Sequence, residues 1–375
     1  MLFALFYYLL ALVVFLLLLV PIIYKSFQTK YKESLPARFF LKNNPPFNSN
    51  SIHFHSCSLG EVRALKPIIK KLKTEINIST TTNTGMSEAK KLTKNVRFLP
   101  YEIFLPFWVE KQKVVVVLEA ELWFMLFFIA KLKGSKTILL NARISDRSYK
   151  SYKRFSFFYK QIFKYIDKVF AQSDEDAIRL KELGAKNIEV IGNIKVFQNI
   201  EVTTKYKKPD KKVITIASSH DREELLLLKS IKNIEDYHVI IVPRHPERFD
   251  TVSKELDENG YYHVKFSHDN TFCNDITLVD TMGELINIYA ITDIVLLGGS
   301  FVPNIGGHNP LEPAFFNTKI ISGNYYFNQK ALFQVVENIE ICSDLETLNQ
   351  LIDNAHPATY NKELDLNPLL KELLQ

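Results

Sequence analysis

The sequence predicts an α/β protein with two doubly wound parallel sheets and an N-terminal transmembrane helix. Three observations lead to this fold class: an uncharged apolar segment at the N-terminus, short apolar runs that alternate with helical patterns, and a polar segment after which the alternation begins again. With 375 residues, of which 47% are hydrophobic, the chain is long enough for two ordinary domains.

The N-terminal segment Leu2–Ile23 carries no charged residue, and its length of about 20 residues suffices for a helix to cross a bilayer. A cleaved signal peptide would begin with basic residues and end in a small-residue cleavage site, and the segment has neither. Lys25, Lys30, Lys32 and Arg38 follow it, so the positive-inside rule places the rest of the chain in the cytoplasm. We therefore predict a single-pass anchor, with a buried core helix as the alternative.

The anchor covers residues 1–24, and residues 25–198 form the first predicted domain. Its strands of four or five mostly apolar residues are typical of a parallel sheet that is buried on both faces. The predicted strands are Ser51–Phe54, Ile76–Thr80, Val96–Leu99, Val114–Leu118, Thr137–Leu140, Lys168–Ala171 and Ile188–Ile191. The predicted helices are Val62–Leu72, Ser87–Leu92, Leu122–Leu132, Tyr152–Tyr165 and Asp174–Leu183.

A polar, basic segment, residues 199–212, is the predicted linker, and the second predicted domain covers residues 213–375. Two such domains would face a central cleft at the carboxyl ends of their strands, where ligands bind. The predicted strands of the second domain are Val213–Ala217, Tyr237–Val242, Tyr262–Phe266, Ile276–Val279, Ile294–Leu297 and Lys319–Ser322.

The composition excludes several classes of protein. Three scattered cysteines form no disulfide framework and indicate a reducing compartment. A net charge of +6 and a pI near 8.9 suit an anionic membrane surface or an acidic ligand. No zinc-finger spacing or RNA-binding aromatic signature indicates nucleic acid. The segment Tyr149–Lys168 interleaves basic and aromatic residues, which fits an interfacial helix on anionic lipid and equally an ordinary half-buried helix.

The motif HFHSCSLGEVRALKPIIKKL, residues 53–72, combines a strand, a small-residue loop and a helix. Glu61 stands where the loop becomes the helix. It can remove a proton from a hydroxyl nucleophile, or it can serve only to stabilise the helix N-terminus. His53 and His55 share one face of the strand at a spacing that can hold a metal, but no nearby Asp, Cys or third His completes a set. Packing or substrate contact is the stronger interpretation, and we predict no metal.

The motif VVVVLEAELW, residues 114–123, ends a buried strand in Glu119 and Glu121, which point the same way if the strand continues. An unpaired buried charge is costly, so both need partners, and Arg143 at the end of another strand is a candidate. Ion pairing and catalysis both fit these residues. Lys195, in IGNIK, lies near the linker and can offset charge on a departing phosphate, although taken alone it better fits a solvated surface position.

The second half carries features of a phosphate site. Arg244 and His245 follow its second strand, where Arg suits bidentate phosphate recognition and an exposed ion pair is the alternative. Backbone N–H groups at helix starts bind phosphate or a base, and carboxylates there accept hydrogen bonds from ribose hydroxyls, as a nucleotide-linked sugar requires. Two sets of residues open predicted helices in this way: Met282, Gly283 and Glu284, and Asn309, Pro310, Leu311 and Glu312.

These motifs together resemble a known family, the 3-deoxy-D-manno-octulosonic acid (Kdo) transferases of lipid A assembly. The resemblance runs from the apolar N-terminal segment to at least Gln334. It rests on nine pieces in the family's order: HSCSLGE, TTTNTG, EAELW, NARIS, AQSDEDAIRLKELGA, GNIK, VPRHPERF, DTMGEL and GGHNPLEPA. Among the departures, Cys57 and Leu59 replace usual valines, and the loop Phe301–Ile305 is one residue longer than usual.

The resemblance implies the GT-B fold, with the acceptor on the first domain and the CMP-sugar donor on the second. It implies inverting, metal-independent transfer of Kdo from CMP-Kdo to a hydroxyl of the lipid A precursor (lipid IVA), without a cofactor, at the cytoplasmic face of the inner membrane. It implies that Glu61 is the general base and that Glu119 and Lys195 stabilise the transition state. The implied CMP contacts are Arg244, His245, Met282, Gly283, Glu284, Asn309, Pro310, Leu311 and Glu312.

Two other functions stay open from the sequence. The GT-B fold also serves enzymes that use other nucleotide sugars, such as UDP-linked ones, and competition between CMP and UDP separates that case. A non-catalytic, membrane-tethered binder of sugar nucleotide would bind ligand without forming product.

Overall fold

The computed structural model describes residues 1–48, 50–197, 200–360 and 364–374. The helices are α1 (Leu2–Ser26), α2 (Ser34–Phe40), α3 (Leu59–Lys71), α4 (Asn83–Ala89), α5 (Leu105–Trp108), α6 (Phe124–Leu132), α7 (Asp146–Arg154), α8 (Ser156–Phe163), α9 (Asp174–Glu182), α10 (Glu223–Ser230), α11 (Phe249–Glu258), α12 (Leu285–Tyr289), α13 (Leu311–Phe315), α14 (Lys330–Phe333), α15 (Leu348–Asn354) and α16 (Asn367–Leu374). The strands are β1 (Ile52–His55), β2 (Ile76–Thr80), β3 (Val96–Phe98), β4 (Val114–Leu118), β5 (Lys136–Ala142), β6 (Lys168–Ala171), β7 (Ile188–Val190), β8 (Lys212–Ser219), β9 (Tyr237–Pro243), β10 (Val264–Lys265), β11 (Ile276–Leu278), β12 (Ile294–Leu297), β13 (Lys319–Gly323), β14 (Val336–Glu337), β15 (Ile339–Cys342) and β16 (Thr359–Tyr360).

The chain divides into two compact units, Met1–Asn199 with Glu363–Gln375, and Ile200–Lys362. The sequence-predicted limits at residues 198, 199 and 375 lie outside the described residues. The prediction that residues 213–375 form one domain is wrong at its C-terminal end, because α16 belongs to the first unit. Leu369 and Leu373 of α16 are buried in an apolar cluster of the first unit, so the C-terminal helix packs with the first sheet rather than with the second.

The first unit contains a parallel sheet with the strand order β3-β2-β1-β4-β5-β6-β7. The order reverses between β1 and β4, as in a doubly wound sheet. Alternate side chains of β4 enter two cores, because Val115 and Val117 lie in one apolar cluster while Val114 and Val116 lie in another. The run of valines is therefore buried on both faces, which confirms the predicted parallel sheet.

The second unit contains a parallel sheet with the strand order β10-β11-β9-β8-β12-β13-β15. Its order reverses between β8 and β12. Ile214 and Ile216 of β8 lie in one apolar cluster and Val213 lies in another, so helices cover this sheet on both faces too. Strands β14 and β16 pair antiparallel outside it. In both units the carboxyl ends beside the reversal point are where such sheets bind ligands.

The apolar N-terminal segment forms the predicted helix, whereas the aromatic and basic segment differs from its prediction. Helix α1 is long and apolar enough to cross a membrane by length and composition. The aromatic and basic segment Tyr149–Lys168 is not one helix, because Phe155 ends α7 and precedes α8. Phe157 is exposed, while Phe158 packs against the apolar core of the first unit.

Candidate active site

Glu61 lies in the first turn of α3, at the carboxyl end of β1 and beside the reversal point of the first sheet. The Ser58 hydroxyl accepts a hydrogen bond from the Glu61 N–H (3.3 Å) and donates one to its Oε1 (2.7 Å). The Cys57 N–H donates to Oε2 at 2.7 Å. These bonds are a variant of the S-x-x-E capping box in which the carboxylate accepts the N–H of the residue before the N-cap, so it stabilises the helix start and is at the same time held in one orientation.

The Glu61 side chain is buried, with only 7% of the residue exposed. Burial raises its pKa, and the negative charge of Glu119 raises it further; the hydrogen bonds from Ser58 and Cys57 act in the opposite direction. A raised pKa makes the carboxylate a stronger base. The residue can therefore both cap the helix and accept a proton.

Glu119 follows the last residue of β4 and adopts a left-handed backbone conformation with φ of +55°. Its Oε1 lies 2.5 Å from the Lys195 ammonium group, and about four-fifths of each side chain is buried. A non-glycine residue in this region of φ is held there by its surroundings, and such residues cluster at functional sites. The structure thus brings all three predicted catalytic residues of the first unit together, since the Glu119 charge also acts on Glu61.

The backbone around Lys195 is fixed by two asparagines. The Ile194 N–H donates to Asn141 Oδ1 at 3.0 Å, and the Lys195 N–H donates to Asn193 Oδ1 at 3.0 Å. Ile194 itself is fully buried in the core. Lys195 therefore occupies a defined position on a short 3-10 turn and is not the free surface lysine that its local sequence favoured.

The condition for Glu119 and Glu121 to point the same way is not met, because β4 ends at Leu118. The Glu121 N–H donates to the Leu118 carbonyl oxygen at 3.3 Å, which makes a turn, and the Glu121 carboxylate accepts the indole N–H of Trp123 at 2.9 Å. The candidate partner Arg143 forms no ion pair within the described part of the chain. Lys195 takes that place at Glu119.

His53 and His55 point to internal partners. Both rings lie 2.8 Å from the Ser79 hydroxyl, and burial lowers the pKa of each to about 3, so both are neutral. Packing is thus the role of His53. The expectation that no nearby residue completes a metal-ligand set with these histidines needs correction. His55, Cys57 and Glu121 each place a possible metal-ligand atom within 4.8 Å of the others. These three residues are the set that could hold a metal among those described.

Arg38 is a site residue that the sequence reasoning counted only as a positive charge after the anchor. It lies in α2, and its Nε donates to the Leu99 carbonyl oxygen at 3.0 Å. Burial lowers its pKa, and the neighbouring Cys57 and Glu121 oppose that shift. A cation therefore lies close to the Glu121 carboxylate, and no motif in the sequence indicated this contact.

The predicted CMP contacts of the second unit follow β9, β11 and β12, which lie on both sides of β8 in its sheet. Arg244 and His245 are exposed directly after β9, and Met282 and Gly283 are exposed before α12. Leu311 is buried (1% exposed), so only its backbone is available to a ligand. Asn309 Oδ1 accepts the Leu311 N–H at 3.0 Å, and the Glu284 carboxylate accepts bonds from Tyr206 (2.7 Å) and Asn287 (2.8 Å).

A pair of histidines adjoins these residues. His220 and His308 place their Nε2 atoms 2.9 Å apart with stacked rings, so one donates a proton and the other accepts it. The His245 ring lies 5.3 Å from that of His220. Burial lowers the pKa of His308 to about 3, helped by the charges of His220, Arg244 and His245. The sequence predicted no role for either histidine, although His308 lies in the piece GGHNPLEPA.

The glycine-rich loop after β12 is held by a carboxylate that the sequence reasoning missed. Glu223, fully buried in the first turn of α10, accepts the N–H groups of Gly299 (2.7 Å), Phe301 (2.9 Å) and His220 (2.9 Å). It joins the loops that follow β8 and β12. The only local signal in the sequence is the acidic pair Glu223 and Glu224, which the structure places in the first turn of α10.

Arg248 has a structural role rather than ligand contact. Its guanidinium bonds both oxygens of Glu224, at 2.6 and 3.1 Å, and Glu224 is 1% exposed. The guanidinium is therefore held by a buried carboxylate. Arg244, four residues earlier, stays available to a ligand.

Comparison with known proteins adds to this geometry. The family model described as 3-deoxy-D-manno-octulosonic-acid transferase (Kdo transferase) matches residues 33–198. The 3-deoxy-D-manno-octulosonic acid transferase of Rickettsia bellii is 31% identical over 84% of this chain and 81% of its own length. The chain belongs to the Kdo transferase family. Another family member, from Haemophilus influenzae, is 29% identical over 89% of this chain and 85% of that protein.

One similar protein is much longer than this chain. The chain is 33% identical to a bifunctional glycosyltransferase/methyltransferase of Fusobacterium nucleatum over 79% of its own length, and it spans about half (52%) of that protein.

Among solved structures, the C-terminal CMP-Kdo-binding domain of WaaA from Acinetobacter baumannii is 31% identical, covering 38% of this chain and 78% of that one, with a TM-score of 0.35. UDP-GlcNAc 2-epimerase from Neisseria meningitidis is 11% identical, with a TM-score of 0.55 over 87% of this chain and 100% of that one. The epimerase likeness shows that this chain has a GT-B-like fold.

Proposed function

We propose that the chain transfers Kdo from CMP-Kdo to a hydroxyl of a lipid A precursor, lipid IVA, with inversion and without a metal ion. The observation that carries the proposal is the buried carboxylate of Glu61, with its raised pKa, next to the Glu119–Lys195 pair. Membership of the Kdo transferase family supports the transferred sugar.

In the proposed reaction, Glu61 removes the proton of the acceptor hydroxyl as that oxygen attacks the anomeric carbon of Kdo. The bond between this carbon and the phosphate oxygen breaks, and CMP leaves with the bonding electron pair. The sugar passes through a state that resembles an oxocarbenium ion. Lys195 offsets negative charge on the departing phosphate, and Glu119 holds the ammonium group and adds negative potential near the sugar.

In the second unit we assign CMP binding to Arg244, His245, residues 282–284 and residues 309–312. The exposed Arg244 supports this assignment, because its N–H donates to the Ser219 carbonyl oxygen at 3.0 Å, which fixes the residue at the carboxyl ends of β8 and β9. A guanidinium at strand carboxyl ends suits a phosphate. We also propose that the chain works at the cytoplasmic face of the inner membrane, since Lys25 at the end of α1 and Lys30 and Lys32 after it suit the anionic lipids of that face.

The test is Glu61→Ala with Glu61→Gln as the near-isosteric variant. Mass spectrometry of lipid IVA incubated with CMP-Kdo should show product with the wild type and none with either variant. Calorimetry should show CMP binding unchanged, because the assigned CMP contacts lie in the second unit. Normal turnover by Glu61→Ala would remove Glu61 as the base, and tighter binding of UDP than of CMP would favour a different nucleotide sugar. Glu182→Gln, in a surface ion pair, is the control.

A further inference from the structure

Helix α1 packs along the first unit rather than extending away from it. Near its start, the ring of Phe3 lies 5.2 Å from that of Phe124 in α6 and 6.2 Å from that of Phe158 in α8. About 18 Å further along the helix axis, the ring of Phe15 lies 6.0 Å from that of Tyr101. Contact with one compact unit therefore runs over most of the helix.

Hydrogen bonds fix this packing. The Tyr7 hydroxyl donates to Oε1 of Glu102, a buried carboxylate whose Oε2 accepts the Met125 N–H at 2.8 Å. The Tyr8 hydroxyl donates to the Ile103 carbonyl oxygen at 3.0 Å. If α1 left the unit, the Glu102 carboxylate would lose a partner while still largely buried, which is unfavourable.

The two sides of α1 differ in exposure. Ala4, Ala11 and Ile22 are buried (6%, 8% and 8% exposed) and lie on the stripe that faces the unit. The opposite side is a continuous apolar surface that includes Phe6, Leu9, Leu17 and Val20, each more than half exposed. An apolar surface of this extent needs a covering partner.

Cations of the same unit lie on α7 and α8, of which α8 contacts the start of α1 through Phe158, and around a cavity formed partly by residues that follow α1. On these two helices Lys150, Arg154 and Lys160 are exposed. The cavity, of about 560 Å³, is lined by the cations Lys32, Lys42, Lys90 and Arg97 and by one acid, Glu33. Anionic headgroups complement both groups of cations.

We propose that α1 lies in the plane of the membrane, docked on the first unit, with its outward apolar side in one leaflet of an anionic phospholipid bilayer and both ends on the cytoplasmic side. A helix that crossed the roughly 30 Å hydrocarbon core would place its Phe3 end and its Lys25 end on opposite sides. The contacts of Phe3 and Tyr7 would then draw α8, with its exposed Lys160, into the bilayer, where a charge is costly. An in-plane helix keeps every contact and brings both groups of cations to one layer of headgroups.

The test uses Leu2→Cys and Lys25→Cys, each in a Cys273→Ser background because Cys273 is the exposed native thiol. A membrane-impermeant maleimide is applied to sealed inside-out membrane vesicles and, separately, to the periplasmic face of cells. We expect both cysteines to be labelled only in the inside-out vesicles. Labelling of Leu2→Cys only from the periplasmic face would overturn the proposal.

A second measurement reports the docking itself. Tyr8→Cys combined with Ile103→Cys should be bridged by a short bismaleimide in native membranes, because these residues are in contact. Val20→Cys with Ile103→Cys is the matched control and should not be bridged, since Val20 faces outward. Failure of the first pair to bridge would overturn the docked geometry even where Leu2→Cys is shielded from both sides. Neither readout depends on catalysis, so the proposed transferase activity stands or falls separately.

Discussion

The Lys195 ammonium group lies 2.5 Å from Oε1 of Glu119, at the carboxyl edge of the first sheet. The two residues come from loops after different strands, and Asn141 and Asn193 hold the backbone on the lysine side. The pair is four-fifths buried, so water screens it only weakly. A positive charge in such a position acts on reacting groups more strongly than one on the surface.

Replacement of Lys195 by Met should lower kcat by on the order of 10²-fold, the loss typical of one preorganised electrostatic contact. The variant should also lose about 2 kcal/mol of stability, less than for a fully buried pair, because Glu119 keeps some access to water. Steady-state kinetics and urea denaturation measure the two effects.

Lys153→Met is the matched control, because Lys153 forms a 3.0 Å ion pair with Glu182 on the surface. It should leave kcat unchanged and should change the free energy of unfolding by no more than about 0.5 kcal/mol. A wild-type kcat for Lys195→Met would show that the pair is only structural.

Much of the fold could be predicted from local patterns. Strands β2, β4, β6 and β12 match the predicted runs residue for residue, because short apolar stretches between polar turns are the strongest strand signal. The prediction of one helix within Tyr149–Lys168 was wrong. The periodicity continues on both sides of Phe155, whereas the Ser145 cap and the packing of Phe158 define two separate helices.

The site was predictable in part. The residues alone left Glu61 as a possible helix cap and Lys195 as a surface lysine, and only the family resemblance assigned roles to Glu61, Glu119 and Lys195. The contact between the last two depends on how β4 ends and on where Asn141 holds the turn. The bonds from Glu223 to the loop after β12 join residues more than seventy positions apart, and no local pattern encodes such a contact.

Glu61→Gln should change the pH dependence of stability in a defined direction. The folded pKa of Glu61 is raised, so between the ordinary glutamate pKa and the raised one the native state binds more protons than the unfolded state. Stability of the wild type then falls as pH rises through that window. Glu61→Gln removes this loss and keeps an oxygen acceptor for the Cys57 N–H. Its free energy of unfolding should gain on that of the wild type as pH rises, in urea titrations at several pH values.

Glu182→Gln should show the opposite sign. Hydrogen bonds from Tyr149 and Lys153 lower the pKa of Glu182, so its contribution is present above the ordinary glutamate pKa and is lost as pH falls. The same sign for both variants would contradict the assigned environment of Glu61.

Glu223→Gln should weaken the loop after β12. The carboxylate accepts three backbone N–H groups, and an amide presents an N–H₂ group to at least one of them. We expect a loss of roughly 2–3 kcal/mol of stability, because bonds to a charged group are among the stronger ones. Amide hydrogen exchange should increase at Gly299 and Phe301. Glu247→Gln, an exposed glutamate nearby, should change neither. Unchanged exchange at Gly299 would argue against the clamp.

Variants of Arg244 and Arg248 should distinguish a loss of CMP binding from a loss of folding stability. Arg248→Ala leaves Glu224, 1% exposed, without its bidentate partner, so it should lose about 3–5 kcal/mol of stability. Arg244→Ala should stay within about 0.5 kcal/mol of the wild type, because the residue is exposed. It should nevertheless lose CMP affinity in calorimetry. If Arg244→Ala bound CMP normally, the assigned phosphate contact would be wrong.

His308→Gln should reduce the acid sensitivity of the second unit. Burial, with the charges of His220, Arg244 and His245, holds the pKa of His308 at about 3, below the ordinary 6.5. Between these values the unfolded state binds more protons, so the wild type loses stability as pH falls below 6.5. Removing one such group should lower the slope of stability against pH by about 1.4 kcal/mol per pH unit between pH 6 and 4. His356→Gln, at an exposed histidine, serves as the control in the same urea titrations. An unchanged slope for His308→Gln would mean that the buried His220–His308 pair does not stay neutral in the folded protein.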